Sequence, residues 1–156
     1  MPEKSKASDF DALIKDIEKE IQEDESEIYT EKTLEEAYNP KNVGEMKNPG
    51  GAARITGPCG DTMQIHLKIE GTVIIDCKFI TDGCGASIAC GSVVTEVVKG
   101  KTVEEAEKLT DKDILAVLGA LPEAHLHCPI LAVNTLKAAI DDYRNSRAFR
   151  NQSISD

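Results

Sequence analysis

Polar and apolar side chains alternate along two adjacent stretches of the chain, residues 62–70 and 73–81. A period of two is typical of β-strands with one buried face and one face in water. Gly71, between the two stretches, predicts a hairpin turn, and a shorter strand over 53–57 is expected to join the same antiparallel sheet. The apolar faces are formed by Met63, Ile65, Leu67 and Ile69 in one strand and by Val73, Ile75, Cys77 and Phe79 in the other.

After residue 81 the apolar side chains recur with the spacing of helices. Helices are predicted over 86–99, 102–109 and 111–118, and from Pro129 to about 147. Gly100 ends the first of them, and Thr102 caps the second with Glu105 at the capping-box position. Strands followed by helices indicate an α+β fold, in which a three-stranded antiparallel sheet is packed by helices.

The N-terminal segment has a pattern of its own. Apolar side chains at helical spacing predict an amphipathic helix over about 9–22, and the acidic run 23–27 predicts a solvated linker. We interpret 1–35 as an acidic helical extension and linker, 36–147 as one domain and 148–156 as a tail. The helix is either a docked or frayed solubilising arm or a partner-binding helix, and its apolar stripe consists of Phe10, Leu13, Ile14, Ile17 and Ile21.

The charge of the chain is concentrated in that extension. Of 28 acidic and 18 basic side chains, residues 1–36 hold 13 acidic and 5 basic ones. The body is therefore close to neutral, which disfavours non-specific binding to nucleic acids and to anionic membranes. No apolar run approaches the roughly 20 residues of a membrane span, and the first residues resemble neither a secretory signal nor a transit peptide. We expect a cytoplasmic protein.

Five cysteines lie between residues 59 and 128. In a reducing compartment, clustered cysteines favour metal binding or catalysis over disulfides. Cys59, Cys84 and Cys128 each stand where the chain changes from one element to another, and such positions present ligands. Asp61 could add an oxygen ligand and His127 a nitrogen ligand. The spacing therefore predicts a soft-metal site of three cysteines with Asp or His, although no CxxC pair supports a zinc ribbon.

Two of these thiols are predicted at helix N-termini. Pro129 suits the first helical position, which would put Cys128 at the cap, and Cys84 precedes the helix over 86–99. The helix macrodipole favours an anion there, so both thiol pKa values are expected to be lowered. A thiolate is the better nucleophile and the better ligand for soft metals.

The remaining cysteines and histidines have different interpretations. Cys77 and Cys90 fall on apolar faces and are expected in the core, and a role for Cys90 as an accessory thiol near Cys84 stays open. His66 is expected on the surface, on the polar face of its strand. His125 is two residues from His127, so that both would point the same way in an extended segment, and an auxiliary ligand role for His125 stays open.

These motifs resemble the iron–sulfur cluster assembly scaffolds of the IscU/NifU N-terminal family. The resemblance covers about residues 36–145 and leaves the acidic extension outside. Several separated motifs occur in register. The matching stretches are 38–44 (YNPKNVG), 59–61 (CGD), 82–89 (DGCGASIA), 95–96 (TE), 98–101 (VKGK), 127–128 (HC) and 131–132 (LA).

The resemblance implies a non-enzymatic scaffold that assembles a [2Fe–2S] cluster and hands it to apo-proteins. It implies sulfur delivery as persulfide from a cysteine desulfurase, with Cys128 as the acceptor. Cys59, Cys84 and Cys128 would be the cysteine ligands of iron, and Asp61 and His127 the other members of the site. Some family members bind zinc in the same site, and whether the cluster bridges a homodimer stays open.

The chain departs from the family pattern before the His-Cys pair. Many bacterial members carry Leu-Pro-Pro-Val-Lys there, which an Hsp70 chaperone recognises, whereas residues 121–125 read Leu-Pro-Glu-Ala-His. Recognition by this chaperone is therefore not predicted. A zinc-dependent sulfurtransferase that stimulates a desulfurase is the main alternative function, although His127 is usually absent from that branch. A structural zinc adaptor is a third hypothesis.

Overall fold

The chain folds around a three-stranded antiparallel sheet packed by helices. The computed structural model describes residues 12–16, 29–58 and 60–155, with side chains up to residue 147. The strands are β1 (Gly51–Thr56), β2 (Thr62–Glu70) and β3 (Val73–Thr81), in the order β1-β2-β3. The helices are α1 (Glu31–Tyr38), α2 (Gly85–Val98), α3 (Val103–Glu107), α4 (Asp111–Leu118) and α5 (His127–Ser155), with a 3₁₀ turn at Glu123–His125.

The alternating pattern produces the three strands, but one end of β3 differs from the prediction: Ile74 is fully buried and Ile75 is 39% exposed, because the register between β2 and β3 shifts near the hairpin. β2 and β3 have the predicted bounds, and they are joined at Gly71 by a hairpin in which Glu70 pairs with Val73. β1 begins two residues earlier than predicted and pairs antiparallel with β2. The inward side chains Met63, Ile65 and Leu67 are fully buried. The predicted α+β class is confirmed.

Helices α2 and α5 cover the apolar face of the sheet, α2 against β3 and α5 against β1 and β2. Helix α2 approaches the sheet closely at Gly91, where an added Cβ would lie 2.5 Å from Cε2 of Phe79. This glycine allows the helix to lie directly on the buried ring. Within the described residues, no helix combines the length and apolar character needed to cross a bilayer.

The last helix differs from its predicted bounds. It begins at His127, before Pro129, and extends to Ser155 rather than to about residue 147. Proline fits here because the first turn of a helix leaves its N–H groups without intrahelical acceptors. The prediction that Cys128 occupies the cap was therefore wrong, since Cys128 is the second residue of α5.

Helix α1 was not predicted, and it crosses the boundary at 35/36 that the sequence suggested. Thr30 caps it, accepting a hydrogen bond from the backbone of Thr33. The buried side chains of α1 include Thr33 and Glu36, which are polar, so the helix does not show an apolar periodicity in the sequence.

Of the predicted N-terminal helix, residues 12–16 are helical with Leu13 and Ile14 exposed, and the rest of 9–22 and the linker lie outside the described residues.

Glu36 joins α1 to α2 through a buried carboxylate. Ser92 of α2 donates a hydrogen bond to Oε2, while Lys32 and Lys41 place Nζ 3.0 and 3.2 Å from Oε1. Burial alone would raise the pKa of Glu36, but the hydrogen bonds from Ser92 and the two lysines outweigh it and hold this pKa below its ordinary value. The carboxylate therefore stabilises the fold above its ordinary pKa, and this contribution disappears as pH falls through the lowered value.

Glu36→Gln should lower the free energy of unfolding at pH 7 by about 1–3 kcal/mol, because it weakens charge-assisted hydrogen bonds in a buried site. The difference from wild type should shrink as acid protonates Glu36, whose neutral form resembles glutamine. Urea denaturation between neutral and acidic pH measures this difference. The exposed neighbour Glu35 provides the control, since Glu35→Gln should change little at any pH. A difference for Glu36→Gln that stays constant on acidification would contradict this account.

Candidate metal centre

Three parts of the fold bring potential ligands together beside the sheet. Asp61 ends the turn before β2, Cys84 is the N-cap of α2, and His127 and Cys128 begin α5. One ligand atom from each of Asp61, His127 and Cys128 lies within 4.8 Å of the other two, and the same holds for Cys84, His125 and Cys128. Carboxylate, imidazole and thiolate groups within such distances are a mixed donor set for a transition metal.

Ser87 lies among these ligands and was not singled out from the sequence. Its hydroxyl is 3.2 Å from Oδ2 of Asp61, 3.4 Å from Sγ of Cys128 and 4.0 Å from Sγ of Cys84. Ser87 is fully buried in the first turn of α2, three residues after Cys84 and therefore on the same side of the helix. That spacing, and its position in the matching stretch 82–89, could have indicated it from the sequence.

Gly83 makes room for this arrangement. A Cβ at this position would lie 2.5 Å from Oγ of Ser87 and 3.0 Å from Oδ2 of Asp61. Any side chain here would displace the serine or the carboxylate. Cys84 therefore supplies a sulfur donor, and Gly83 beside it leaves the space that the side chains of Ser87 and Asp61 occupy.

The chemistry of Cys128 differs from the prediction. Burial raises the pKa of its thiol to about 11, and the hydrogen bond from Ser87 offsets only part of this effect, while the charges of Cys84 and Asp61 raise the pKa further. The lowered pKa expected from the helix N-terminus was therefore wrong for Cys128. At neutral pH this thiol stays protonated until a cation displaces the proton, as ligation by a metal does.

The other predicted residues fall into three groups. Cys59 lies outside the described residues. Cys77 and Cys90 are fully buried, as predicted, and burial raises the pKa of both thiols. The prediction for His66 was wrong, because it is only 7% exposed and its Nδ1 accepts a hydrogen bond from the backbone of Met46. The loop that contains Met46 covers this face of β2, which the strand pattern alone does not reveal.

His125, for which a ligand role had stayed open, lies in the candidate metal centre, together with Cys84 and Cys128. Its Nδ1 is 3.6 Å from Sγ of Cys84, and Nε2 of His127 is 3.6 Å from Sγ of Cys128. Cys84 is exposed, whereas Cys128 is buried beneath the same cluster. The exposed apolar side chains of Leu126 and Ile130 border the two histidines along the chain. The centre is therefore open to solvent on one side and has an apolar rim.

The burial pattern predicts a clear order of thiol reactivity. Cys84 should react first with iodoacetamide at pH 7.5, whereas Cys77 and Cys90 should react only in denaturant. The raised pKa of Cys128 lowers its thiolate fraction about a hundredfold relative to an ordinary thiol, and burial adds to the protection. Peptide mass spectrometry over a time course measures the order. A Cys59→Ser background removes the cysteine outside the described residues, and labelling of Cys90 as fast as Cys84 would refute the order.

The sequence of the chain is similar to that of known proteins. A family model described as the NifU-like N terminal domain matches residues 28–150. The chain is 43% identical over 117 residues to the "Iron-sulfur cluster assembly scaffold protein IscU 1" of Archaeoglobus fulgidus, covering 74% of this chain and 76% of that protein. It is 43% identical over 125 residues to the nitrogen fixation protein NifU of a Nostoc species, covering 74% of this chain but only 42% of the relative.

Solved structures agree on the fold. The N-terminal part of a NifU-like protein from Brucella abortus has a TM-score of 0.60 at 22% identity, with 76% of this chain and 95% of that chain covered. A protein of the SUF system from Fervidobacterium islandicum has a TM-score of 0.59 at 24% identity, with 72% and 96% covered. At these identities the comparison supports the arrangement of strands and helices alone.

Proposed function

The chain belongs to the NifU-like N-terminal domain family, and from this membership we propose that it is a scaffold on which an iron–sulfur cluster is assembled and then passed to apo-proteins. Its relatives include proteins named as iron–sulfur cluster assembly scaffolds. We further propose that the cargo is a [2Fe–2S] cluster, that Cys59, Cys84 and Cys128 are its thiolate ligands, and that Asp61 and His127 complete the site.

The observation that carries this proposal is the mixed donor set around Cys128. Durable clusters of this type have four cysteine ligands, and imidazole replaces cysteine in some others. Here a carboxylate, an imidazole and the second described thiol each place a ligand atom within 4.8 Å of Sγ of Cys128. An oxygen ligand suits iron less well than a thiolate, so that a site built this way can hold a cluster and also release it. The exposure of Cys84 gives an acceptor protein access from one side.

Sulfur delivery is the second part of the proposal. A cysteine desulfurase would dock at the rim formed by Leu126 and Ile130, and a thiolate of the scaffold would attack the outer sulfur of its persulfide. The desulfurase thiolate leaves, and the scaffold cysteine becomes the persulfide. We assign this step to Cys128, which must first become exposed: exposure removes the burial that raises its pKa, and the thiol then gives its proton to solvent before it attacks. Mass spectrometry after incubation with a desulfurase and cysteine tests the assignment: a +32 Da adduct that persists in Cys128→Ser but disappears in Cys84→Ser would transfer the role to Cys84.

A zinc-dependent sulfurtransferase is the second candidate, since Asp61, His127 and Cys128 are also groups that bind zinc. Anaerobic reconstitution with iron, cysteine and a desulfurase separates the two functions. The scaffold function predicts a coloured protein with the Mössbauer signature of a [2Fe–2S] cluster. Colourless protein that retains one zinc ion and accelerates the desulfurase would support the alternative.

We propose a reducing, cytoplasmic setting, in which the free thiols can serve as ligands. An Hsp70 chaperone is not included among the proposed partners.

Asp61→Ala should leave a longer-lived cluster and slow its transfer severalfold. The reason is that loss of the oxygen ligand leaves the iron to nitrogen and sulfur donors, which bind it more durably. The half-time of transfer to an apo-ferredoxin, followed by circular dichroism, measures the effect. Asp82→Ala is the matched control, because Asp82 borders the same region and is absent from both ligand sets. Equal half-times for Asp61→Ala and wild type would contradict this role of the carboxylate.

A further inference from the structure

Two histidines near the start of α5 face different thiols. His125 closes the 3₁₀ turn and places Nδ1 3.6 Å from Sγ of Cys84. His127 opens α5 and places Nε2 3.6 Å from Sγ of Cys128. Their ring centroids are 6.3 Å apart. The change from 3₁₀ turn to α-helix between them thus divides the two imidazoles between two cysteines.

Both separations equal the distance between two ligands of one tetrahedral ion. With metal–sulfur and metal–nitrogen bonds of about 2.3 and 2.0–2.1 Å, a tetrahedral angle puts the sulfur and nitrogen atoms about 3.6 Å apart. The Cys84–His125 pair and the Cys128–His127 pair each have this spacing. Each pair could therefore bind an ion with little movement of its donor atoms.

Cys128 is common to the two three-ligand sets. One set contains Cys84, His125 and Cys128, and the other contains Asp61, His127 and Cys128. A thiolate has enough lone pairs to bind two ions, and bridged ions in two-metal sites lie about 3.5–4 Å apart. We propose that this centre binds two divalent metal ions at once, with His125 as a ligand of the first ion and the Cys128 thiolate as the bridge. The two ions would occupy the site where the cluster is assembled, and this purpose of the two-ion centre rests on the proposed function.

The donor types give the two positions different characters. The first position has two sulfur atoms and one nitrogen atom, while the second has one sulfur, one nitrogen and one carboxylate oxygen. His125 is decisive for the first position, because the lysine that the family resemblance leads one to expect there is a cation without a lone pair to donate at neutral pH. The buried hydroxyl of Ser87 lies 3.2 Å from Asp61 Oδ2 and 3.4 Å from Cys128 Sγ, two donors of the second position, and can donate its proton to either of them.

Cadmium-113 NMR of protein labelled with nitrogen-15 in histidine tests this inference in the wild-type chain. Titration with Cd²⁺ should give two cadmium resonances at two equivalents, one coupled to nitrogen of His125 and the other to nitrogen of His127. His125→Gln should lose the first resonance and lower the stoichiometry from two to one. Glu123→Gln, an exposed change in the same 3₁₀ turn, should retain both resonances.

The wild-type couplings keep the test decisive even where a variant folds poorly. A single cadmium resonance at saturation, or two resonances of which neither couples to His125, would overturn the inference. Failure of the two-ion centre can also be distinguished from failure of the proposed scaffold function. A protein that binds one ion and still assembles a cluster would refute the two-ion centre alone, whereas two bound ions without cluster assembly would support this inference and refute the scaffold.

Discussion

Replacing Cys128 by serine should reduce cluster formation to background. Its sulfur is the donor that both ligand sets share, so that its loss leaves each set with two donors at most among the described residues. A serine hydroxyl does not ionise at neutral pH and is a poor ligand for iron beside thiolates. Anaerobic reconstitution followed by iron and sulfide analysis should find wild type loaded and Cys128→Ser empty. The fold should persist, since serine is close in size to cysteine.

The matched control for this experiment is Cys77→Ser. Cys77 is as fully buried as Cys128, so both variants place a hydroxyl in the interior and both should lose some stability. Cys77 belongs to neither ligand set. Cluster content should therefore separate the two variants, with Cys77→Ser loading like wild type. Normal loading of Cys128→Ser would remove this residue from the centre.

Gly91→Ala should destabilise the protein by about 2 kcal/mol or more, as overpacking of a core does. The new methyl group would lie 2.5 Å from Cε2 and 3.0 Å from Cγ of Phe79, whose ring is fully buried. Alanine favours a helix over glycine by about 1 kcal/mol, but this gain is smaller than the expected clash. Either α2 moves away from the sheet or the ring leaves its place. Urea denaturation measures the loss.

Another glycine of the same helix provides the control. At Gly85 a Cβ would meet only Cβ of Ala37, at an ordinary contact distance of 3.7 Å. Gly85→Ala should therefore leave the free energy of unfolding unchanged or slightly raised. If both variants were equally stable, close packing between α2 and Phe79 would not determine the stability of this interface.

The strands were predictable because most of their apolar positions alternate, and β2 and β3 have the expected bounds. The register shift that buries Ile74 and exposes Ile75 was not predictable, because it arises from the pairing of β2 with β3. Helix α1 was not predictable in the same way, because its buried face carries Thr33 and Glu36 and gains its stability from Ser92 and two lysines. The burial of His66 depends on a loop far away in sequence. Features that rely on partners distant in sequence leave no local pattern to detect.

The sequence indicated which of the described residues come together at the candidate site, but it did not indicate the ionisation behaviour of Cys128. Asp61, Cys84, His127 and Cys128 come together, because the ends of neighbouring elements meet at one side of the fold. The pKa of Cys128 was predicted in the wrong direction. A helix N-terminus stabilises an anion by typically 0.3–1 kcal/mol, about a fraction of one pKa unit, whereas burial can shift a pKa by several units. Burial is a tertiary property, which the spacing of cysteines does not report.

Transfer of a cluster to an acceptor distinguishes a scaffold from a protein that only retains a cluster. Wild-type protein, loaded anaerobically with iron and sulfide and freed of excess reagents, would be mixed with an apo-ferredoxin and the two proteins separated again over time. Iron and sulfide should leave the scaffold in equal amounts and appear together in the acceptor as a [2Fe–2S] cluster. A cluster that stays on the loaded protein, or sulfur that reaches the acceptor without iron, would contradict the proposed scaffold function.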